Sequence, residues 1–154
     1  MTTLYVLIGL PGSGKSTWAR QNVDRLHAVV VGSDEVRREF QANGQNPLNG
    51  DRVFAEVERR ARSLLQADQS VILDATHFLR KYRTYTLHLA RDTRARRVAI
   101  WFDVPLDICL QRNDQRSNLT FGDEQVPKDV VRRMADLLQS PGRDEFDGVV
   151  KVSP

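Results

Sequence analysis

Three glycines and a proline fall within six residues, Gly9 to Gly14, between an apolar run, "LYVLI", and a helix-forming run, "KSTWARQNVDRL". Glycine reaches backbone conformations closed to other residues, so a cluster at a strand–helix junction lets the chain wrap closely around something. The stretch "GLPGSGKS", Gly9 to Ser16, fits the pattern G-x-x-x-x-G-K-[ST] in full. In that pattern successive backbone N–H groups converge on phosphate oxygens, and the helix start adds partial positive charge. Lys15 then reaches the β- and γ-phosphates, and the Ser16 hydroxyl is a ligand for Mg2+. The candidate nucleotide site therefore runs over Gly9, Pro11, Gly12, Ser13, Gly14, Lys15, Ser16 and Thr17.

Downstream of the loop, hydrophobic patterns alternate in type. Strands are expected at residues 3–9, in "HAVVVG", in "SVILDATH", in "RRVAIWFDVP" and in "GVVKVS". Helices are expected over 14–26, in "DEVRREF", in a long segment with Val53, Phe54, Val57, Ala61, Leu64 and Leu65 on one stripe, in "RKYRTYTLHLARDT" with Tyr82, Tyr85 and Leu89 facing inward, in "LDICLQRNDQR" and in "PKDVVRRMADLLQ". Strands alternating with helices imply crossover connections, and apolar rather than alternating strands imply burial on both faces. The expected fold is α/β, a three-layer αβα sandwich around a parallel sheet of about five strands. In such sheets ligands bind beyond the carboxyl ends of the strands. Gly9, Asp34, Asp74 and Asp103 lie at or just after those ends.

At 154 residues with 40% hydrophobic and 28% charged residues, the chain suits one domain with an adequate core. One cysteine excludes an internal disulfide framework and fits a reducing, cytoplasmic setting. Cys109 sits between apolar neighbours and is expected to be a buried thiol, and Trp18 and Trp101 to be packing residues. The opening residues lack the basic segment of a signal peptide, and no apolar run reaches membrane-spanning length. Net charge is +3, carried by 19 arginines and 4 lysines. Arginine's planar fork suits phosphate, and a modest positive balance is compatible with a nucleic-acid partner without requiring one.

A phosphate loop alone does not name a reaction. A guanine-nucleotide switch needs Asn-Lys-x-Asp, which is absent, and a motor ATPase places an acidic pair after its second acidic strand, whereas Asp74 in "VILDATH" has no adjacent Glu to align water. The chain offers instead "SDEVRRE", with Asp34 in the N-cap position of a helix and Arg37 three residues on, along the same face. That pairs a proton acceptor with an anion clamp, which phosphoryl transfer to an alcohol requires. Asp74 has the position of a carboxylate that holds Mg2+ through water or orients site groups. His77 follows it, facing either an acceptor or solvent. Arg112 and Arg116 share a helix face ahead of the polar stretch "SNLTFGDEQV", the makings of a lid around 112–126 that excludes water and adds positive charge.

Taken together, "GLPGSGKSTWAR", "SDEVRRE", "VILDATH", "FDVPLDICLQRNDQR", "VPKDVVRRM" and "DEFDGVV" resemble the phage-type polynucleotide 5′-kinase domain, within the P-loop kinase group related to adenylate kinases. The resemblance covers nearly the whole chain. It implies ATP and Mg2+ at Lys15 and Ser16, Asp34 as general base, Arg37 on the acceptor's phosphate, Asp74 as a site carboxylate, and Arg116 as lid arginine supported by Arg112. It implies the 5′-OH of DNA or RNA as acceptor. His77 stands where many members carry Asn, and the lid stretch is longer than in near relatives. The same motifs serve kinases of nucleosides, antibiotics and metabolites, and a nucleotide-binding regulatory ATPase is a third reading. Oligomeric state is left open by the sequence.

Overall fold

The computed structural model describes residues 1–116 and 125–154. Five strands form one sheet in the order β2-β3-β1-β4-β5, and every pairing is parallel. In chain order the elements are β1 (Thr3–Ile8), α1 (Lys15–Leu26), β2 (Ala28–Gly32), α2 (Ser33–Ala42), α3 (Gly50–Gln66), β3 (Ser70–Asp74), α4 (Thr84–Thr93), β4 (Arg96–Phe102), α5 (Leu106–Asp114), α6 (Lys128–Leu137) and β5 (Gly148–Val152). A 3₁₀ turn over Arg80–Arg83 precedes α4.

The sheet divides the apolar residues into two cores. Leu4, Val6 and Ile8 of β1 face Val53, Val57, Ala61 and Leu65 of α3, with Leu89 of α4. Leu7, Ile72, Ile100 and Phe102 face Ala19 of α1 and Cys109 of α5. Strand side chains alternate between faces, so a strand buried on both sides is apolar throughout. Val53, Val57, Ala61 and Leu65 recur every four residues, and the Asn49 side chain caps α3 by accepting from the Arg52 N–H at 3.2 Å.

Two local expectations are corrected. Asp34 is not the N-cap of α2: Gly32 occupies that position, β2 ends there, and no side chain caps the helix. Tyr82 does not face inward. It lies in the 3₁₀ turn and is 50% exposed, while Tyr85 and Leu89 on α4 are partly and fully buried. The Tyr82 position follows from the shorter repeat of that turn, which rotates it off the α-helical stripe.

Candidate active site

The crossover that leaves β1 runs to β2 at one edge of the sheet, whereas the one that leaves the adjacent β4 runs to β5 at the other. The crevice at such a switch point is the usual ligand position in this architecture. The glycine loop fills it. Gly12 and Gly14 have φ of 82° and 95°, in the left-handed region that favours glycine. A Cβ on Gly12 would meet the Cys109 carbonyl oxygen of α5 at 2.5 Å, so the loop rests on backbone that no side chain could share. Gly9 packs against Phe102 and donates its N–H to the Thr76 carbonyl at 3.0 Å, which fastens the loop to the segment after β3.

Lys15, 8% exposed, donates Nζ to the carbonyls of Gly9 (3.1 Å) and Leu10 (2.8 Å). Desolvation pulls its pKa down to about 8, an effect the Asp74 and Asp34 carboxylates oppose and the Arg116 guanidinium reinforces. The Ser16 hydroxyl donates to Asp74 Oδ2 at 2.7 Å. Ser13, 4% exposed, has a buried hydroxyl with no protein partner. It lines neither of the two recesses of the site, so the polar groups open to a ligand here are those of Lys15 and Ser16. A serine hydroxyl beside a carboxylate is a hard-oxygen donor set that suits Mg2+.

Two recesses meet at Lys15 and Ser16. The smaller, about 240 Å³, is lined by Gly12, Gly14, Thr17 and three arginines, Arg20, Arg112 and Arg116. Arg112 also donates to the Gly12 carbonyl at 3.4 Å. The larger cavity, about 580 Å³, holds Pro11, Asp34, Arg37, Asp74 and Arg116 beside Lys15 and Ser16. Asp34 is 52% exposed and pairs with Arg37 at 3.3 Å. Its carboxylate is therefore not consumed by a helix cap. Most of the predicted site residues come together here, with Gly9 and Ser13 lying beneath the surface. Asp103 does not join them: it pairs with Lys151 of the edge strand β5 at 3.0 Å.

The aromatic wall of the cavity was not assigned to the site from sequence. Phe54, Phe78, Tyr82 and Tyr85 line it, with His77, Met134 and the α3 start at Gly50 and Asp51. Phe54 shares the stripe that builds the α3 core, so periodicity alone assigns it to packing. His77 is not an exposed histidine: it is packed into the wall of the cavity. It is 3% exposed, and desolvation, the largest influence, holds its pKa down at about 4. Cys109 is buried as expected, and burial pushes its thiol up. Trp18 packs edge-on against Phe102, and Lys151 stands over Trp101. The lid stretch falls mostly on 117–124, outside the described residues. At its margins, Asn113 donates to the Val126 carbonyl at 2.6 Å and accepts from the Val126 N–H at 2.9 Å, joining 113 to 126. No helix is long and apolar enough to cross a membrane among the described residues.

An all-parallel sheet with a phosphate cradle after its central strand defines a P-loop domain of the kinase type. The chain belongs to the AAA domain family, whose model matches residues 4–141. It is 26% identical over 152 residues to the L-seryl-tRNA(Sec) kinase of Methanococcus maripaludis, covering 90% of this chain and 53% of that protein. It is 29% identical over 154 residues to the thermoresistant gluconokinase of Escherichia coli, covering 96% and 82%. A chain of the Pnkp1/Rnl/Hen1 RNA repair complex superposes with a TM-score of 0.75 at 28% identity, over 90% of this chain and 44% of that one. The chain thus spans about half the length of the first of these relatives.

Proposed function

We propose that this protein is an ATP-dependent kinase that transfers the γ-phosphoryl group to a hydroxyl, with the 5′-OH of a polynucleotide as the leading acceptor. The observation that carries the reading is that Lys15, Ser16 and Asp34 open into one cavity. The glycine loop and Lys15 bind the triphosphate. Ser16 and Asp74 would hold Mg2+, which neutralises charge on the phosphoryl oxygens when bound. Arg37 positions the acceptor through an anionic group, and Asp34 takes the proton of the attacking hydroxyl. The acceptor oxygen bonds to the γ-phosphorus as the bond to the β–γ bridging oxygen breaks, releasing ADP. Arg116, with Arg112, spreads positive charge over the transferred group. The chain acts as one cytoplasmic kinase domain.

Likeness to a chain of an RNA repair complex supports the polynucleotide acceptor. A small hydroxyl-bearing acceptor is the second reading, supported by likeness to a gluconokinase of which this chain spans 82%. The test offers γ-labelled ATP with 5′-OH oligonucleotides, 5′-phosphorylated controls, nucleosides and polyhydroxy acids. Label on 5′-OH ends alone, lost in Asp34→Asn, is the expected outcome, with Lys15→Ala falling by about 10²- to 10⁴-fold in kcat. Equal labelling of 5′-phosphorylated controls overturns the polynucleotide acceptor. ATP hydrolysis indifferent to every acceptor and to Asp34→Asn overturns transfer itself.

A further inference from the structure

His77 occupies a strained position for a reason the phosphate cradle does not explain. Its φ is 45°, in the left-handed region, and its ring is buried. Both ring nitrogens are engaged, Nδ1 at 2.8 Å from the Leu7 carbonyl oxygen and Nε2 at 2.7 Å from the Tyr85 hydroxyl. A carbonyl only accepts, so Nδ1 must carry a proton. Burial and the nearby Arg83 and Lys15 charges keep the ring neutral, so it has no second proton. Nε2 is then a bare lone pair, and the Tyr85 hydroxyl must donate to it. That commits the only hydroxyl proton of Tyr85, leaving an oxygen that can accept but not donate.

Tyr85 lines the larger cavity, and its ring meets Phe54 edge-on at 5.9 Å, with the Arg37 guanidinium 5.9 Å over the Phe54 ring. The contacts run from the anion-binding arginine through Phe54 and Tyr85 to His77, and from there to β1 just ahead of Gly9. The neighbouring Thr76 carbonyl receives the Gly9 N–H, a second tie between the same segments. The cavity wall and the phosphate cradle therefore share one anchor.

We propose that His77 is a positioning residue that fixes the polarity of Tyr85, and that Tyr85 selects an acceptor bringing a hydrogen-bond donor, a hydroxyl or amine, besides the hydroxyl that is phosphorylated. This inference rests on the phosphoryl-transfer reading above. A site with a committed acceptor discriminates against an analogue that cannot donate, because the buried oxygen is left unpaired.

Two measurements on the full chain test it. The first is a long-range ¹H–¹⁵N correlation of labelled histidine at pH 7. The expected His77 signature is a protonated Nδ1 and a bare Nε2, with the Nε2 resonance moving in Tyr85→Phe. An Nε2–H tautomer or an imidazolium overturns the inference whatever the acceptor. The second uses a 5′-OH oligoribonucleotide and gluconate as probes, each compared with derivatives methylated at one spare hydroxyl or amine at a time. For the wild type, one such methylation is expected to lower kcat/KM by about tenfold, and in Tyr85→Phe that penalty is expected to vanish with KM for ATP unchanged. The same penalty in both proteins, or none in the wild type, overturns the inference while transfer itself stands. Transfer to neither probe by the wild type counts against both acceptor readings, and the tautomer measurement then decides the polarity of the pair.

Discussion

Lys15 and His77 are basic groups that burial drives toward neutrality, and the consequences differ. Lys15 donates to the Gly9 and Leu10 carbonyls, where a triphosphate would supply negative charge that strengthens its hold on the proton. His77 faces a carbonyl and a hydroxyl and stays neutral to about pH 4. In the unfolded chain a histidine takes its proton near pH 6.5. Between those values the unfolded state binds more protons, so stability falls as pH drops from about 6.5 to about 4. The loss is on the order of 3 kcal/mol. Asparagine suits the left-handed backbone and carries no titratable ring. His77→Asn should therefore lose less stability than the wild type between pH 7 and pH 4.5, as read from urea midpoints. Equal losses in the two proteins would show that His77 is not the group responsible.

At the scale of elements, the glycine loop is one half of a contact whose other half is α5. Gly12 combines a φ of 82° with a backbone carbonyl, that of Cys109, 2.5 Å from where a Cβ would stand. A methyl group there must displace α5 or flatten the loop, since backbone cannot rotate aside as a side chain does. Gly12→Ala should cost about 1–3 kcal/mol, seen as a lower Tm, and should weaken binding of a non-hydrolysable ATP analogue in equilibrium titration. Gly44 also has positive φ but nothing within 4 Å of its would-be Cβ. Gly44→Ala is expected to carry only the milder backbone cost and leave nucleotide affinity unchanged.

Across the whole molecule, the cavity wall depends on a residue far away in sequence. Arg83, fully buried in the 3₁₀ turn, bonds Glu145 through Nε at 2.7 Å and Nη2 at 2.9 Å, and donates to the carbonyls of His77 and Gln139, each at 2.9 Å. Burial alone would raise the Glu145 carboxyl, but Arg83 and the Gly142 N–H outweigh it and hold the pKa below the usual value. One guanidinium thus joins the segment before β5 to the loop that carries His77. Removing one partner of a buried pair strands the other charge. Arg83→Met should cost about 3–5 kcal/mol in chemical denaturation, and Arg83→Met/Glu145→Leu should recover part of it. A double variant no more stable than the single one would show that the carbonyl bonds, not the charge pair, hold this corner.

Much of this protein follows from local sequence alone. The cradle was legible because its glycines, lysine and serine lie within eight consecutive residues, and the parallel sheet because strands buried on both faces must be apolar throughout. Asp34, Arg37 and Asp74 could be read because strand ends and the first turns of a helix carry them to one rim, whereas Arg116 reaches that rim from beyond the end of α5 and not from a helix face shared with Arg112. Only the tertiary structure determined the wall of the larger cavity. Phe54 and Tyr85 show the same apolar spacing whether they fill a core or line a cavity. Tyr82 turned outward because the chain tightens into a 3₁₀ turn that Arg83 anchors, through contacts about sixty residues distant. The polarity of Tyr85 depends on a carbonyl of β1, seventy residues from His77 in sequence. Phosphate recognition uses backbone over a short stretch, which a motif can encode. The shape and hydrogen-bond sense of the larger cavity depend on side chains from distant segments, and only folding brings those together.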